Sequence, residues 1–250
     1  MRNLSIPPLP ERRYDKRLAI VVPYRDRAEH LRDFLPRVVA YFQRDKLDRQ
    51  IAVSIHVIEQ SGNAVFNRGM IKNCGYRLVK DSADYVCFHD VDFVPVWADY
   101  GWAPQPARLV WHGLPLKEDW ERFFGAAVLF DNAAFERVNG YPNAYWGWGP
   151  EDLELGFRCD IAGLGFERRD GTYVALPHRH AGITPAGEYT EEARRTHAVW
   201  AKRRDRVGEL MAKDGLSTLE FTLIRRTRLP ATGSDAPPMF HHLVDIGAPA

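Results

Sequence analysis

Two aspartates separated by one residue lie where the apolar run YVCFHD (85–90) ends: Asp90 is its last residue, and Asp92 follows it. In an extended segment, residues two apart face the same side, so both carboxylates can approach one site beyond the strand end. Neighbouring carboxylates resist carrying charge together unless a cation lies between them. Hard oxygen ligands suit Mg²⁺ or Mn²⁺, and such an ion commonly carries a diphosphate. The alternative is a polar loop in which one acid acts as a cap.

Two histidines with the same spacing, His178 and His180, follow the predicted strand TYVALPHRH (172–180). Both imidazoles can therefore point to one side. Imidazole shifts the metal preference from magnesium toward Mn²⁺ or a later transition metal. The alternative is a pair of loop histidines near a strand end.

The stretch YWGWGPEDLELGFR (145–158) places tryptophans, glycines and acids within one short segment. Gly147 and Gly149 permit unusual backbone angles and a close approach by other groups. Tryptophan faces stack on the apolar C–H faces of sugars, and a carboxylate can take a proton from an attacking sugar hydroxyl. The stretch thus predicts an acceptor-sugar site. Alternatively, Glu151 and Asp152 simply stabilise the first turn of a helix opened by Pro150.

Arginines follow the first predicted strand at positions 25 and 27. A guanidinium group suits phosphate oxygens, and a helix beginning near Arg27 offers free backbone N–H groups to an anion. Tyr24 and Phe66 have the ring type needed to hold a flat base. Solvated arginines and core aromatics are the alternatives.

The elements that position these groups alternate between strands and helices in the first half of the chain. Apolar runs predict strands over 18–22, 51–58 and 85–90, and helical spacing predicts helices over 27–42 and 66–79. This order indicates a parallel sheet with crossover helices, in which ligands gather at the carboxyl ends of strands. The predicted class is therefore an α/β fold with a mostly parallel, Rossmann-like sheet.

The second half is less regular. The sequence predicts a strand over 123–130, a helix over 131–138 and a helix from Pro150 whose apolar face carries Leu153, Phe157, Ile161 and Leu164. A charged helix over 190–213 and two strands, LEFTLIRRTRL and HHLVDIG, complete the chain. We expect an N-terminal arm over 1–17 and one domain over 18–250, with a nucleotide half (18–95) and an acceptor and metal half (96–250).

Composition narrows the function classes. The chain has 250 residues, 45% of them hydrophobic, and a net charge of +1, which argues against nucleic acid as a partner. Three cysteines in apolar or helical contexts, none in a CxxC pair, indicate buried free thiols and a reducing compartment. The sequence contains neither a signal-peptide core nor a membrane-length apolar run, so we expect a cytoplasmic protein.

Taken in order, several segments resemble the beta-1,4-galactosyltransferase family. They are VVPYRDRAEHL, FNRGMIKNCGY, FHDVDFVP, FFGAAVLF, RVNGYPNAYWGWGPEDLELGFR and the terminal DGLSTLEF and VDIG. The resemblance covers nearly the whole chain from about residue 18, and NGYPNAYWGWGPED is its most specific part. It implies a GT-A glycosyltransferase fold and an inverting, Mn²⁺-dependent transfer from a UDP-sugar to an acceptor sugar, with Mg²⁺ as a second candidate ion.

The resemblance also implies roles for individual residues. It assigns to the nucleotide Pro23, Tyr24, Arg25, Arg27, Phe66, Arg68 and Val91. It assigns to the donor or acceptor sugar Asp90, Phe123, Gly125, Trp148 and Glu151. It makes Asp152 the catalytic base and assigns to the metal Asp92, His178 and His180, since the His-x-His pair is similar to the branch that transfers galactose to xylose.

The sequence departs from the family pattern at three positions. Leu153 stands where many members carry another acid, Ala126 replaces the second glycine of F-G-G, and Phe123 aligns with a residue that tunes room for a donor N-acetyl group. A bulky aromatic there favours galactose over N-acetylgalactosamine. Without an anchor or disulfide, the chain looks like a bacterial cytosolic relative.

The expected partners are a UDP-sugar donor and a saccharide or glycoconjugate acceptor, with peripheral membrane contact if the acceptor is lipid-linked. Two other functions fit the same residues. One is a metal-dependent nucleotide-sugar hydrolase, and the other is a sugar-binding module without catalysis. The sequence does not identify the acceptor.

Overall fold

A computed structural model describes residues 16–44, 51–109, 124–178, 182–230 and 233–249. Its main feature is an eight-stranded sheet with the order β7-β5-β6-β3-β1-β2-β10-β9, and a separate two-stranded sheet pairs β4 with β8. The strands are β1 Lys16–Tyr24, β2 Ile51–Gln60, β3 Tyr85–His89, β4 Phe93–Ala98, β5 Ala107–Arg108, β6 Ala127–Asp131, β7 Glu167–Arg168, β8 Gly171–Ala175, β9 Thr222–Arg228 and β10 Met239–Asp245. The α-helices are α1 Ala28–Arg44, α2 Arg68–Val79, α3 Asn132–Arg137, α4 Glu151–Ile161, α5 Glu191–Arg203 and α6 Val207–Met211.

The centre of the sheet is parallel, as predicted. β1 pairs in parallel with β2 and β3, and β10 pairs in parallel with β2, whereas β6 and β9 join antiparallel. The carboxyl ends of β1, β2 and β3 therefore lie along one edge. β10 comes from the end of the chain but lies beside β2. The sheet therefore contains strands from both the expected nucleotide half and the expected acceptor and metal half.

Helices cover both faces of this sheet. α1 packs on one face through residues such as Phe34, Val38 and Phe42, and α2 packs on the other through Ile71 and Cys74. These apolar positions repeat with helical spacing, which is why the sequence predicts both helices.

Gly75 explains how α2 tolerates a glycine in its interior. A Cβ atom there would lie 2.3 Å from Cγ1 of Val21 on β1. The missing side chain therefore allows the helix to approach the strand closely.

Several predicted boundaries were wrong in the second half. The strand expected over 172–180 ends at Ala175, and the strand expected over 123–130 begins at Ala127 because Ala126 has a left-handed φ of 64°. The helix expected over 190–213 is divided into α5, a 3₁₀ turn over Arg204–Arg206, and α6. In the first half, β1 begins at Lys16, two residues before the predicted strand start at residue 18.

The apolar face predicted for α4 was also wrong. Ile161 is 51% exposed, whereas Glu154, Leu155, Arg158 and Cys159 are buried. Glu154 and Arg158 form an ion pair with N–O separation 2.9 Å and no exposed side-chain area. Charged residues can occupy this core position because they neutralise each other there.

All three cysteines are buried and free, as predicted. Burial raises the pKa of Cys159 to about 12, so this thiol is an inert core side chain. Within the described residues, no helix has both the length and the apolar character needed to cross a membrane.

Candidate active site

The start of α2 brings three acidic side chains around one arginine. Asn67 caps this helix, with its side-chain oxygen accepting from the N–H of Met70 at 2.9 Å. The next residue, Arg68, donates through Nη2 to Asp152 Oδ2 at 2.9 Å and through Nη1 to Asp90 Oδ2 at 3.3 Å, and its Nε donates to Glu151. Arg68 was predicted to contact the nucleotide. In the structure it contacts the residues predicted to bind sugar, Asp90 and Glu151, and the predicted base, Asp152.

Lys72 lies one helical turn after Arg68 and is a site residue that the sequence reasoning missed. Its side chain is 1% exposed, and its Nζ lies 3.1 Å from Asp152 Oδ1 and 4.0 Å from Asp90 Oδ1. The ammonium group also lies 4.6 Å from the ring centroid of Tyr141. The four-residue spacing from Arg68 was the available signal, since residues i and i+4 share one helix face.

Burial and these charges shift the pKa values of Glu151 and Asp90 in opposite directions. Burial raises the pKa of Glu151, an effect that Arg68 opposes and the charge of Asp152 reinforces. Burial would also raise the pKa of Asp90, but the cations Arg68 and Lys72 lower it below its ordinary value. The cluster thus holds three carboxylates against two cations, an arrangement that retains negative charge in a buried place.

Asp92 and His178 come together as the sequence predicts. Nδ1 of His178 lies 3.0 Å from Oδ2 of Asp92, and the histidine and aspartate side chains are 28% and 14% exposed. Burial first, and the neighbouring charge of Asp90 second, raise the pKa of Asp92. A carboxylate and an imidazole that converge in this way suit a divalent cation such as Mn²⁺.

The third predicted metal ligand, His180, lies outside the described residues, as does Phe123. In the described part of the chain, no group of three or more acidic, histidine or cysteine side chains is arranged to hold a metal ion. Asp92 and His178 are close enough to share a metal ion, but the full set of three ligands stays a prediction.

The backbone of Asp90 is held by a hydrogen bond, whereas one oxygen of its side chain has no hydrogen-bond partner in the ranges that the structure describes. Its N–H donates to the carbonyl of Ala126 at 2.7 Å, next to the buried Gly125. Among the described residues, Asp90 Oδ1 is buried and has no hydrogen-bond partner. A buried acceptor without a partner is costly, so a ligand hydroxyl or a water at this atom would remove that cost.

The predicted nucleotide residues lie at the end of β1 and just after it. Pro23 and Tyr24 are buried strand residues, and Val91 is buried in the turn between Asp90 and Asp92. Arg25 donates through Nε to Asp26 at 3.3 Å, and its Nη1 donates to the carbonyl of Ala64. These bonds hold the arginine at the carboxyl edge of the sheet.

Tyr24 and Phe66 have different neighbours in the structure. The Tyr24 ring meets His241 edge-on at 6.3 Å between centroids, whereas Phe66 packs against the α2 side of the core. Arg27 is half-buried just before α1. These residues therefore lie at one edge of the sheet, but Tyr24 and Phe66 do not form an aromatic pair that could hold a nucleotide base between them.

The tryptophan segment is anchored to α5 through its backbone. The N–H of Trp148 donates to Glu192 Oε1 at 2.8 Å, and the hydroxyl of Thr196 donates to the carbonyl of Trp148 at 2.5 Å. Gly147 has a φ of 103°, and a Cβ there would lie 2.4 Å from Cγ of Glu192. A glycine is therefore required at 147, as the sequence predicts.

α4 begins directly after this segment, with Pro150 as the residue before its first turn. Glu151 and Asp152 point into the acidic cluster, whereas Glu154 points into the core. Glu154 accepts from the hydroxyl of Tyr145 at 2.7 Å and from Arg203 on α5 at 2.8 Å. This buried network connects the tryptophan segment, α4 and α5.

Comparison with known proteins gives the family. A model described as the N-terminal region of glycosyl transferase group 7 matches residues 9–100, and one described as the N-terminal domain of galactosyltransferase matches residues 110–180. Beta-1,4-galactosyltransferase 6 of Mus musculus is 36% identical over 179 residues, which is 66% of this chain and 45% of the relative. The chain belongs to the beta-1,4-galactosyltransferase family.

Two other members of the beta-1,4-galactosyltransferase family give similar matches. Beta-1,4-galactosyltransferase 5 of Danio rerio is 34% identical over 224 residues, covering 85% of this chain and 55% of the relative. Beta-1,4-galactosyltransferase 7 of Drosophila melanogaster is 33% identical over 172 residues, covering 66% and 52%. The chain thus spans about half the length of the curated relatives it matches.

The catalytic domain of Drosophila beta1,4-galactosyltransferase 7 has the same fold. The two structures superpose with a TM-score of 0.71 at 24% identity, over 94% of this chain and 95% of that chain. The galactosyltransferase-family chain therefore adopts the GT-A glycosyltransferase fold, which confirms the predicted α/β class.

Proposed function

We propose that this protein is an inverting glycosyltransferase that moves galactose from UDP-galactose to a hydroxyl of an acceptor sugar, with a β-1,4 linkage. One observation carries the proposal. A buried carboxylate, Asp152, lies in one charged cluster with Asp90, close in sequence to the Asp92 and His178 pair. The proposed proton acceptor, sugar contact and cation ligands would thus lie at the same edge of the sheet.

The relatives support this reaction class. The curated relatives are named as beta-1,4-galactosyltransferases, and the Drosophila catalytic domain was solved with xylobiose. A variant of that Drosophila protein was solved with manganese, UDP-Gal and xylobiose. We extend the donor, the ion and a saccharide acceptor to this chain as part of the proposal.

Asp92, His178 and the predicted ligand His180 would hold Mn²⁺. When bound, the ion would neutralise charge on the diphosphate of the leaving UDP. Arg25 and Arg27, at the carboxyl end of β1, would bind phosphate or base, with Tyr24 adjacent in the chain and Phe66 just before α2. Pro23 and Val91 would line the same nucleotide site.

Asp152 would take the proton from the attacking hydroxyl. Each of its oxygens contacts a cation, since Oδ2 accepts from Arg68 and Oδ1 accepts from Lys72. Each oxygen keeps a second acceptor position at which it would take the proton. Arg68 is 26% exposed and Lys72 is 1% exposed, so the oxygen on the Arg68 side is the one that an acceptor hydroxyl would approach.

The remaining sugar contacts follow from the same geometry. Asp90, with an unsatisfied oxygen, would accept from a donor hydroxyl, and Glu151 would bind the acceptor beside Trp148. Gly125 and the predicted Phe123 would border the donor sugar. Since the chain spans about half of its relatives, we state acceptor class but not acceptor identity. The cytoplasmic location expected from the sequence stays a prediction.

A UDP-release assay tests the proposal. UDP-galactose, UDP-N-acetylgalactosamine and UDP-glucose would each be combined with xylose, N-acetylglucosamine or glucose, with Mn²⁺ and with chelator. We expect release with UDP-galactose that needs both Mn²⁺ and an acceptor. Release at the same rate without acceptor would instead identify a nucleotide-sugar hydrolase, and no metal-dependent release with any donor would refute the enzyme proposal.

A further inference from the structure

An aromatic surface continues from Trp148 onto residues that neither the sequence motifs nor the relatives assign to the site. The ring centroid of Tyr189 lies 6.0 Å from that of Trp148 and 4.7 Å from that of His197, and the Trp148 and His197 rings are 5.8 Å apart. These three rings form an aromatic trio, and it begins three residues before Glu151 in the chain.

Tyr189 is held rigidly while its side chain is open to solvent. It forms a β-bridge with Ile183, and its carbonyl accepts from Arg194 Nη1 at 2.7 Å. Next to it, the N–H of Thr190 donates to the carbonyl of Gly182 at 3.0 Å. Despite this fixed backbone, Tyr189 is 45% exposed.

The trio also contains an unsatisfied polar atom. Nε2 of His197 is buried and has no hydrogen-bond partner within the described ranges. Buried polar atoms in folded proteins normally have a partner, so this nitrogen is available to a hydroxyl or a water. An exposed aromatic ring next to an unsatisfied hydrogen-bonding atom matches a sugar, whose C–H face is apolar and whose edge carries hydroxyls.

We propose that Tyr189 and His197 form a second sugar subsite, which binds the residue next to the accepting sugar in an oligosaccharide or glycoside. This inference rests on the proposed function, because it extends the acceptor site from Trp148 outward. The accepting sugar would lie against Trp148 and Glu151, and its neighbour would stack on the Tyr189 ring. The preferred acceptor is therefore larger than a monosaccharide.

The size of the effect follows from the contact. Aromatic contacts contribute about 0.5 to 1.5 kcal/mol beyond simple burial, which corresponds to roughly two- to twelve-fold in an equilibrium constant. Loss of the Tyr189 ring is expected to lower kcat/KM for a disaccharide acceptor within that range. A monosaccharide stacked on Trp148 has no neighbouring sugar to stack on Tyr189, so its kcat/KM is expected to change less than two-fold.

The test compares Tyr189→Ala and Tyr189→Phe with Glu188→Ala, a matched exposed neighbour on the same turn. UDP release from UDP-galactose is measured with xylose against xylobiose and with N-acetylglucosamine against its β-1,4-linked disaccharide. We expect Tyr189→Ala to abolish the preference for the disaccharide, while Tyr189→Phe and Glu188→Ala keep it. Circular dichroism melting checks that each variant folds.

Two results would overturn the inference, and they differ from failure of the proposed function. An equal loss for both acceptor lengths in Tyr189→Ala would make the residue structural, and a wild-type enzyme that does not favour disaccharides would leave no subsite to explain. Absence of acceptor-dependent UDP release in the wild type would refute the proposed function itself, and the subsite with it.

Discussion

Lys72 and Asp152 form a buried ion pair, with Nζ of the lysine 3.1 Å from Oδ1 of the carboxylate. Arg68 binds the other oxygen of the same carboxylate at 2.9 Å. The residue proposed as the base is thus held from two sides by cations of one helix, α2. The buried lysine fixes its position, and the partly exposed arginine covers it.

Replacing Lys72 with methionine tests this arrangement. Methionine keeps roughly the length of the lysine side chain but removes its charge. The three carboxylates of the cluster then face Arg68 alone, and Asp152 loses its buried partner. We expect kcat to fall about 10- to 100-fold with little change in the KM for the donor, since small displacements of a reacting group have effects of that order. We also expect the free energy of unfolding to fall by about 3 kcal/mol.

Lys80→Met is the matched control for that variant, because Lys80 directly follows α2 and forms a half-exposed ion pair with Glu136 at 3.0 Å. It should change stability by less than about 0.5 kcal/mol and leave kcat unchanged. Lys72→Arg should recover part of the lost kcat. A Lys72→Met enzyme with wild-type kcat would show that the lysine does not position the base.

Glu154→Gln is expected to destabilise the protein strongly. Burial alone would raise the pKa of Glu154, but bonds and charge from Arg203 and Arg158 hold it below its ordinary value. Its stabilising contribution is therefore complete above the unfolded-state pKa and is lost as the pH falls through the folded-state value. Removing this charge leaves two buried arginines short of a partner, which costs about 3 kcal/mol.

Chemical denaturation at pH 7 measures that loss. Glu209→Gln serves as the comparison, because Glu209 pairs with Arg206 and Lys213 on the surface. It should cost no more than about 1 kcal/mol. Equal effects of the two substitutions would mean that the Glu154 network does not support the core.

Two buried histidines make stability depend on pH. His56 Nδ1 lies 3.1 Å from His242 Nε2, and burial, with added repulsion from nearby charges, lowers the pKa of His56 to about 3 and that of His242 to about 4. In the unfolded chain both titrate near 6.5, so between about pH 6.5 and pH 4 the unfolded state binds more protons. Stability is therefore expected to fall as the pH drops below 6.5.

The slope of the unfolding free energy from pH 6.5 to pH 5 provides the measurement, with each histidine adding up to about 1.4 kcal/mol per pH unit. His242→Asn should reduce the slope, whatever its effect on stability at pH 7. A slope unchanged in this variant would show that His242 is protonated in the folded protein.

Ala126→Gly is expected to stabilise the protein. The φ of Ala126 is 64°, a left-handed conformation that costs a residue with a Cβ atom about 1 kcal/mol and costs glycine little. Ala127, the next residue, lies within β6, and Ala127→Gly should instead destabilise by about 0.5 to 1 kcal/mol. Thermal melting of the two variants should show shifts of opposite sign, and a lower melting temperature for Ala126→Gly would contradict the backbone argument.

The sequence predicts the parts of the fold whose pattern is local. β1, β2 and β3 are short apolar runs, and α1 follows helical spacing, so these elements were predicted within a few residues. Asp92 and His178 also lie close together in the structure, while their shared metal stays a prediction. Both follow strand ends, and the resemblance to the family assigned them to one metal.

The remainder depends on ion pairs between distant parts of the chain. Glu154 and Arg158 lie outside the apolar face predicted for the helix from Pro150, and Arg203, which is 49 residues from Glu154 in the chain, makes their burial possible. Lys72 was not predicted as a site residue, because its partner Asp152 is 80 residues away in the chain. Such pairs leave no periodic signal in a single sequence.

Turnover of an Asp152→Asn variant tests the central proposal most directly. Asparagine keeps the shape of the side chain but cannot accept the proton from the attacking hydroxyl. With Mn²⁺, UDP-galactose and the best acceptor, UDP release should fall at least about 100-fold while the circular dichroism spectrum stays native. An Asp152→Asn protein that folds normally and releases UDP within a few-fold of the wild-type rate would contradict the assignment of Asp152 as the base.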